Sequence, residues 1–550
     1  MNRRKLKKEK THGTQLFNAT RLSCDAKDVK KAAELRARGN AKYHPDEKRY
    51  MSAIVLYNES LAYSPKGSEE RAKSYFDRAL TCLALRRFND CLRNIQLVRA
   101  TNHPATQNLL LEGYETVAKL FLDTTRTAGA ELQLSYPGHE HMTHVANCLE
   151  LVRHETLEKT VVTNRKLLAG DVVMIERPIF VVLAKDQQCL RCAYCFGEYP
   201  FTLIPCEGCT WAMYCSEGCM MEAYHRFHRY ECGLIRQLSE DPDSRTGVTA
   251  LHTIAVAISS FNSDLEALIR NIETVDKLNQ NIWTMNWKTA TIKDVLATMH
   301  LLMSDAQRFQ YPDPKQQHAK AVLIYCHLML RTDLKQRYTM NIPLLQKMLY
   351  LCYEYLNILQ YNAKSKSILQ YDLKEKVYVS KEFGVGCYPL ISMLNHSCNG
   401  NVMRIDMHDG RCAMVVTRPI AEGEQLLECY GYQHLLRCRD EQPLRFLRNS
   451  SLDCWCEASV RYFRSIGMLL KEVGFNTRDS ANDIRLMHTA IADRDAKIAS
   501  MILQKQQQRL NDTTRVLGNF ELIHRGLLLK HCYAMLYGDV MDTDQYTRFW

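Results

Sequence analysis

A short segment of the chain, residues 192–232, contains seven cysteines and a histidine at a spacing that limits how it can fold. The pattern is C-x2-C-x10-C-x2-C-x5-C-x3-C-x8-H-x3-C, and its eight soft ligands are enough for two tetrahedral zinc sites. Each C-x2-C pair bends the chain so that both thiolates face one ion, and the x3 spacings fit one turn of helix. The predicted ligands are Cys192, Cys195, Cys206, Cys209, Cys215, Cys219, His228 and Cys232.

So short a segment cannot bury a hydrophobic core of its own, so the metal has to supply its folding free energy. Because protein side chains fill every predicted position, none remains for water, and both zinc ions are predicted to be structural. Cys189 is a spare thiol, which leaves 189 and 192 open as an alternative first pair. Buried thiols without metal would not require this spacing.

The remainder of the 550-residue chain has the composition of a folded protein, with 46% hydrophobic and 24% charged residues. Its length allows roughly three or four domains. The first twenty residues contain no apolar signal-peptide core, and the longest apolar-leaning run, 249–261, is too short and too polar to span a bilayer. We therefore expect a soluble protein of the cytoplasm and nucleus, without membrane contact, whose clustered cysteines bind metal.

The formal net charge of +11 includes a basic N-terminus, "MNRRKLKKEK", with six basic residues against one acidic residue. This stretch is interpreted either as a solvated, disordered end or as a nuclear address. The sequence does not require nucleic acid as a partner. The one basic candidate near the cysteines, "HRFHR" at 225–229, belongs mostly to the metal-binding framework.

Residues 28–125 carry helical patterns with a weak internal repeat. Tyr50 and Phe88 match at a separation of 38 residues, as do Ala53 and Cys91. Small and aromatic residues at such offsets allow two antiparallel helices to approach closely and to stack on the next pair. The pattern resembles tetratricopeptide (TPR) repeats. It predicts either an ordinary helical hairpin or a groove that binds a chaperone or another protein.

Two regions, 158–183 and 376–430, are rich in β-branched residues and are predicted to form strands. Within the first, "LLAGD" is interpreted as a hairpin turn; within the second, Asp409-Gly410 is a strong hairpin-turn signal. Residues 233–375 are mostly helical in pattern. The sequence therefore predicts an α+β fold in which one β-rich domain is split by a metal-bound insertion and a helical insertion.

Three motifs carry a resemblance to a known family. "YCSEGCMMEAYHRFHRYEC" resembles a MYND finger, while "SMLNHSC" followed by "GEQLLECYGY" resembles the SET domain of protein-lysine methyltransferases. A MYND finger inserted into a SET domain is typical of the SET-and-MYND (SMYD) family, and the TPR-like helices and "CYGY" are similar to its TPR-containing branch. The interleaved pairing of that family would place Cys192, Cys195, Cys215 and Cys219 on one zinc ion, and Cys206, Cys209, His228 and Cys232 on the other.

The resemblance also implies an architecture, from N-terminal TPR-like helices through a split SET domain to a C-terminal helical domain. The predicted boundaries are 1–27 for a basic disordered N-terminus, 28–125 for the TPR-like helices, 148–188 for the first part of the SET domain, 189–232 for the MYND finger, 233–375 for the helical insert, 376–440 for the SET catalytic core, 441–460 for a post-SET segment and 461–550 for the C-terminal helices.

For function, the resemblance implies transfer of a methyl group from S-adenosylmethionine to a lysine of a histone or non-histone protein. Ser392, Asn395 and His396 would contact the cofactor, and Tyr430 would be the catalytic tyrosine at the methyl-transfer channel and a further cofactor contact. MYND fingers of the family bind proline-rich peptides or are purely structural, so a proline-rich peptide is a second predicted partner.

Three departures from the family pattern lie at the predicted cleft. The family's glycine pair falls near 158–161, where this chain has "EKTV", and its second channel tyrosine aligns with Ser450. A third zinc site would lack its fourth ligand, because Ser459 is a poor zinc ligand. The three remaining ligands of that possible third site are Cys398, Cys454 and Cys456. These departures favour an alternative hypothesis, a catalytically weak or inactive SET and MYND scaffold that recruits partners, for example in transcriptional repression.

Overall fold

A computed structural model provides the three-dimensional structure of the chain. The described residues are 22–23, 25–101, 108–120, 131–154, 158–240, 244–278, 282–302, 314–338, 341–372, 377–397, 400–407, 410–429, 477–493, 495–512 and 520–538. Among them, every helix is too short or too polar to cross a lipid bilayer.

The N-terminal part of the chain is helical, as the sequence predicts. Its helices are α1 (Val29–Tyr43), α2 (Tyr50–Tyr63), α3 (Glu69–Ala84), α4 (Phe88–Arg99) and α5 (Asn108–Leu120). Asp28 caps α1 and Ser68 caps α3 by accepting hydrogen bonds from backbone N–H groups of the first turn. Gly39 allows α1 and α2 to approach closely, because a Cβ there would lie 2.5 Å from the ring of Tyr57. Successive helices thus pack as neighbouring antiparallel pairs.

The first β-rich region also forms as predicted. Its strands are β1 (Leu149–His154), β2 (Glu158–Thr163), β3 (Val172–Glu176) and β4 (Val181–Leu183). The prediction of a hairpin at "LLAGD" is wrong, because β2 pairs with β1 whereas β3 pairs with a strand far along the chain. Leu167 instead bridges Ile420. The turn therefore carries the chain from one sheet to another.

The cysteine-rich segment contains little regular structure. Its elements are β5 (Ile204–Pro205), β6 (Met213–Tyr214), α6 (Glu217–Ala223), a π-helical turn (Tyr224–His228) and α7 (Arg229–Glu231). Strands β5 and β6 form a short antiparallel hairpin. This scarcity of regular elements is consistent with a segment that metal ions fold.

A helical region follows. It comprises α8 (Ile235–Ser239), α9 (Ser244–Ser260), α10 (Leu265–Leu278), α11 (Ile292–Thr298), α12 (Pro314–Arg331), α13 (Leu334–Tyr338) and α14 (Ile342–Asn362). The sequence predicts that strands resume near 376, but they resume earlier, because the strand after α14 begins directly at Ala363. Helix α14 ends without a Gly or Pro, so local sequence does not mark this boundary.

The remaining strands complete the β-rich part of the chain. They are β7 (Ala363–Asp372), β8 (Val377–Cys387), β9 (Asn395–His396), β10 (Val402–Asp406), β11 (Cys412–Val416) and β12 (Leu427–Glu428). One sheet has the strand order β3–β11–β10–β12–β9, and a second has the order β4–β8–β7. The predicted hairpin between β10 and β11 is confirmed, with Asp406 opposite Cys412 and Gly410 at a φ of 86°.

Both faces of the five-stranded sheet are buried. Along β11, Ala413 and Val415 pack against C-terminal helices, whereas Cys412, Met414 and Val416 belong to the large core shared with the rest of the chain. The C-terminal helices are α15 (Thr477–Ala492), α16 (Ala496–Asn511) and α17 (Phe520–Tyr537). The α+β fold predicted from sequence is thereby confirmed, with helices packed around a mixed β-sheet core.

Candidate functional site

The eight predicted metal ligands lie in two groups of four. In each group the ligand atoms all lie within 4.8 Å of one another. The groups are Cys192, Cys195, Cys215 and Cys219, and Cys206, Cys209, His228 and Cys232. This grouping is the interleaved arrangement that the family resemblance implies.

The sulfur geometry of the first group fits a tetrahedral zinc ion. With Zn–S bonds of about 2.3 Å, a tetrahedral site places neighbouring sulfur atoms about 3.8 Å apart. The Sγ atoms of Cys195 and Cys215 are 3.7 Å apart, and those of Cys215 and Cys219 are 3.4 Å apart. These thiols can therefore converge on one ion.

The second group fits equally well. The Sγ atoms of Cys206 and Cys232 are 3.9 Å apart. His228 Nε2 lies 3.2 Å from Cys206 Sγ and 3.6 Å from Cys209 Sγ. With a Zn–N bond of about 2.1 Å, the expected N–S separation is about 3.6 Å. Nε2 is thus the ring nitrogen that faces the site.

Local backbone structure explains how the ligands are presented. The Ser216 hydroxyl accepts a hydrogen bond from the N–H of Cys219 at 3.1 Å, which begins α6 and orients Cys215 and Cys219 across its first turn. Gly208 lies in the second C-x2-C pair, where a Cβ would lie 2.7 Å from Cys232 Sγ. Cys189 belongs to neither group, and burial raises the pKa of its thiol.

A buried carboxylate that sequence reasoning missed supports the second group. Glu231 Oε2 lies 3.7 Å from His228 Nδ1, the ring nitrogen opposite the metal-facing one, and Glu231 Oε1 lies 2.5 Å from Nδ1 of His252 on α9. Burial alone would raise the pKa of Glu231, but the two imidazoles lower this pKa to about 2. A carboxylate at this position fixes the tautomer of a zinc-bound histidine. A cavity of about 40 Å³ adjoins the three side chains.

The predicted cofactor residues lie in the SET-like part of the structure. Asn395 and His396 form β9, which pairs in parallel with Leu427 and Glu428 of β12. Ser392 lies in the preceding 3-10 turn, and its hydroxyl donates to the carbonyl of Asn362 at 3.3 Å. The structure thus brings Asn395 and His396 of "NHSC" beside Leu427 and Glu428 of "LLECY".

The departure at 158–161 is adjacent to this strand pair. Asn395 Nδ2 donates to the Thr160 hydroxyl at 3.4 Å, and Thr160 is almost fully buried. The N–H of Leu426 donates to the carbonyl of Val161 at 2.9 Å. The side chain of Thr160, within the stretch 158–161 near which the family pattern has its glycine pair, therefore contacts a predicted cofactor residue.

Buried charges behind β12 were not foreseen from the sequence. Glu428 is 1% exposed, and its carboxylate bonds Lys364 Nζ at 3.2 Å and Arg404 Nη1 at 2.9 Å. Burial lowers the pKa of Lys364, and the Glu428 carboxylate opposes that shift. These ion pairs fix β12 to β7 and β10, two residues before Tyr430.

A second buried pair lies farther along β7 and β10. Lys366 Nζ bonds Asp406 Oδ1 at 3.2 Å and the Tyr388 hydroxyl at 2.9 Å. Burial alone would raise the pKa of Asp406, but the charges of Lys366 and Arg404 hold this pKa below its usual value. The only sequence signal for these residues is the presence of charges inside strand-like runs, as in "AKSKSILQ" and "NVMRID".

Glu176 orients the turn that leads into β9. Its two carboxylate oxygens accept the backbone N–H groups of Leu390 and Ile391, both at 2.9 Å. Burial raises the pKa of Glu176 to about 8, against the opposing effect of these two hydrogen bonds. The Glu176 carboxyl group thereby holds the start of the 3-10 turn that contains Ser392.

Several predicted residues lie outside the described part of the chain. They are Tyr430, the three cysteines of the possible third zinc site, Cys398, Cys454 and Cys456, and the two departures Ser450 and Ser459.

Comparison with known proteins identifies the β-rich region. The family model of the SET domain matches residues 158–431. Curated relatives named "Protein-lysine N-methyltransferase SMYD4" from Homo sapiens, Mus musculus and Gallus gallus are 21%, 20% and 21% identical, over 77%, 77% and 71% of this chain. These alignments cover 66%, 66% and 67% of the relatives, so the chain spans about two thirds of their length.

Proposed function

We propose that the chain is a member of the SET-and-MYND (SMYD) family and a protein-lysine N-methyltransferase that uses S-adenosylmethionine, as its SET-domain match and its similarity to relatives of that name support. The predicted substrate is a lysine of a histone or non-histone protein. The observation that carries the proposal is the pairing of Asn395 and His396 with Leu427 and Glu428, which joins the two SET motifs in one strand pair.

The chemistry requires little from side chains as acids or bases. When bound, S-adenosylmethionine supplies an electrophilic methyl group on a sulfonium. The protein has to align the lysine amine with that methyl and exclude water from it. Burial of the target lysine also favours its neutral, nucleophilic form by lowering its pKa.

The residues around β9 and β12 fit these tasks. Asn395, His396 and Ser392 would hold the donor, since their backbone is fixed by strand pairing and by the turn that Glu176 anchors. Tyr430, two residues after β12, would orient the transferred methyl. The two zinc groups have four protein ligands each, so their role would be structural.

Donor titration and methyl transfer test this proposal. Calorimetric titration of the full chain with S-adenosylmethionine should show micromolar binding, and transfer of labelled methyl to a lysine-containing protein should follow. Tyr430→Phe should reduce the transfer rate at least about tenfold, which corresponds to about 1.4 kcal/mol in activation free energy, while donor binding persists. The matched control Tyr350→Phe, at a tyrosine that is 61% exposed on α14, should behave as the wild type.

Two results would contradict the proposal. Absence of donor binding by the zinc-loaded chain would favour the scaffold hypothesis, for which the side chain of Thr160 beside Asn395 is the structural argument. Donor binding with no transfer to any lysine substrate, in histone and non-histone mixtures alike, would also contradict catalysis.

A further inference from the structure

Three helices of the N-terminal region direct buried polar side chains at one stretch of main chain in the cysteine-rich segment. Asn58 Nδ2 on α2 donates to the carbonyls of Cys189 and Pro200, both at 2.7 Å. Asn94 Nδ2 on α4 donates to the carbonyl of Phe201 at 2.7 Å. Asn58 and Asn94 are fully buried, so these bonds form inside the protein and not at its surface.

Arg78 on α3 connects the two asparagines and extends the contact. Its Nη1 donates to the Leu203 carbonyl at 2.8 Å and to Asn58 Oδ1 at 2.6 Å, and its Nε donates to Asn94 Oδ1 at 2.7 Å. Burial lowers the pKa of Arg78 to about 10. Among the described residues no carboxylate bonds this guanidinium. Amide and carbonyl oxygens accept its hydrogen bonds, and the centre of the Tyr75 ring lies 5.2 Å from its carbon atom. A fully buried cation of this kind would be costly without them.

Charged and aromatic contacts surround this buried centre. Arg71 on α3 forms a bidentate pair with Glu207, at 2.7 and 2.9 Å. The guanidinium of Arg87 lies 4.7 Å from the centre of the Phe201 ring. Lys27 Nζ donates to the carbonyls of Cys206, at 2.5 Å, and Cys209, at 2.7 Å, the two cysteines of the second C-x2-C pair.

We propose that this face of α2, α3 and α4 is a binding site for main-chain carbonyls, and that its occupant is the chain's own segment 199–210, which begins with a hydrogen-bonded turn between Tyr199 and Thr202. The site bonds the main-chain carbonyls at 200, 201 and 203 through Asn and Arg side chains, and the side chains of Phe201 and Glu207 add contacts at its edge. The same segment contains Cys206 and Cys209, so zinc holds it in the bound conformation. The N-terminal helices and the metal-bound segment are therefore one cooperative unit.

This interpretation changes the partner prediction. A groove of TPR-like helices is expected to bind another protein, but here Asn58, Arg78 and Asn94 already bond the protein's own main chain. A chaperone peptide or a proline-rich peptide would have to use a different face as long as zinc is bound.

Hydrogen–deuterium exchange of the full chain tests this coupling. Exchange is followed in the zinc-loaded protein and after treatment with EDTA. Chelation should raise exchange at least about tenfold, or about 1.4 kcal/mol in opening free energy, in residues 199–210 and also in α2, α3 and α4. Increased exchange in 199–210 with unchanged protection of the helices would overturn the proposal.

Substitutions test the same coupling from the helical side. Arg78→Met keeps much of the side-chain length but removes the donors, so zinc release to a chromogenic chelator should become several-fold faster. Arg71→Gln, at the edge of the contact, should give a smaller change in the same direction without unfolding α3. Arg93→Gln is the control, since Arg93 bonds only Gln96 of its own helix among the contacts described. If both test variants stay helical by circular dichroism and release zinc at the wild-type rate, the proposal is wrong.

Discussion

At the scale of single residues, the most consequential groups are carboxylates that hold other functional side chains in place. Glu231 contacts the ring of His228, a predicted zinc ligand, Glu176 holds the turn before β9, and Glu428 fixes β12. None of them has a motif of its own. Glu176 and Glu428 contact groups distant in sequence, and Glu231 connects His228, three residues before it, to His252 on α9. These roles therefore depend on the folded structure.

Glu231→Gln tests the role of the carboxylate behind His228. The side-chain oxygen of a glutamine can accept a hydrogen bond from one imidazole only. The glutamine NH₂ group would then face the N–H of the other imidazole. The zinc affinity of the site should therefore fall about 10- to 100-fold. The site consists of Cys206, Cys209, His228 and Cys232. Competition of the zinc-loaded chain with a chromogenic chelator measures this change, with a readout independent of methyl transfer.

Glu222→Gln is the matched control for that measurement. Glu222 lies on α6 of the same segment, but it is exposed and pairs with Arg226 on the surface. Its substitution should leave zinc retention unchanged. If the Glu231→Gln variant retained zinc to the same extent as the Glu222→Gln variant, Glu231 would not orient His228.

At the scale of elements, β12 is only two residues long and yet aligns both SET motifs. Besides its backbone pairings with β9 and β10, this short strand is held by the ion pairs of Glu428 with Lys364 and Arg404. Glu428→Gln leaves two cations without their carboxylate. We expect a stability loss of about 3–5 kcal/mol in urea unfolding, and donor affinity in the folded protein reduced at least about tenfold.

Asp406→Asn separates the effect on stability from the effect on donor affinity. It breaks the comparable buried pair with Lys366, at the end of β10 away from β12. The expected result is a similar loss of stability with donor affinity close to that of the wild type. Equal losses of affinity in both variants would mean that Glu428 acts through general destabilisation and not through the position of β12.

An element can be predicted from the sequence when the residues that determine it lie close together in the chain. The zinc ligands and the β10–β11 hairpin follow from spacings and turn residues within a few positions, and local sequence records such features well. The hairpin predicted at "LLAGD" is wrong because the flanking strands pair with other partners, and Leu167 lies opposite Ile420. Likewise, the start of β7 at Ala363 has no local signal, and the pairing of Lys364 with Glu428 spans 64 positions.

At the scale of the whole molecule, the five-stranded sheet depends on C-terminal helices to bury one of its faces. Ala413 and Val415 of β11 pack with Leu529 of α17 in a core separate from the main one. The Tyr533 hydroxyl donates to the carbonyl of Gly170 at 2.7 Å and fixes α17 to the turn before β3. The helices that follow the SET region in sequence are therefore part of its core.

Leu529→Ala tests this dependence. Leu529 is fully buried, and removing its side chain should lower the free energy of unfolding by about 2–5 kcal/mol, through lost burial and the cavity left behind. Leu486→Ala, on α15 at a site that is 45% exposed, should change it by less than about 1 kcal/mol. Because one sheet carries β11 and β12, chemical denaturation of Leu529→Ala should show loss of S-adenosylmethionine binding and of helical signal at the same urea concentration. Donor binding that survived the unfolding of α15, α16 and α17 would show that the sheet is stable without them.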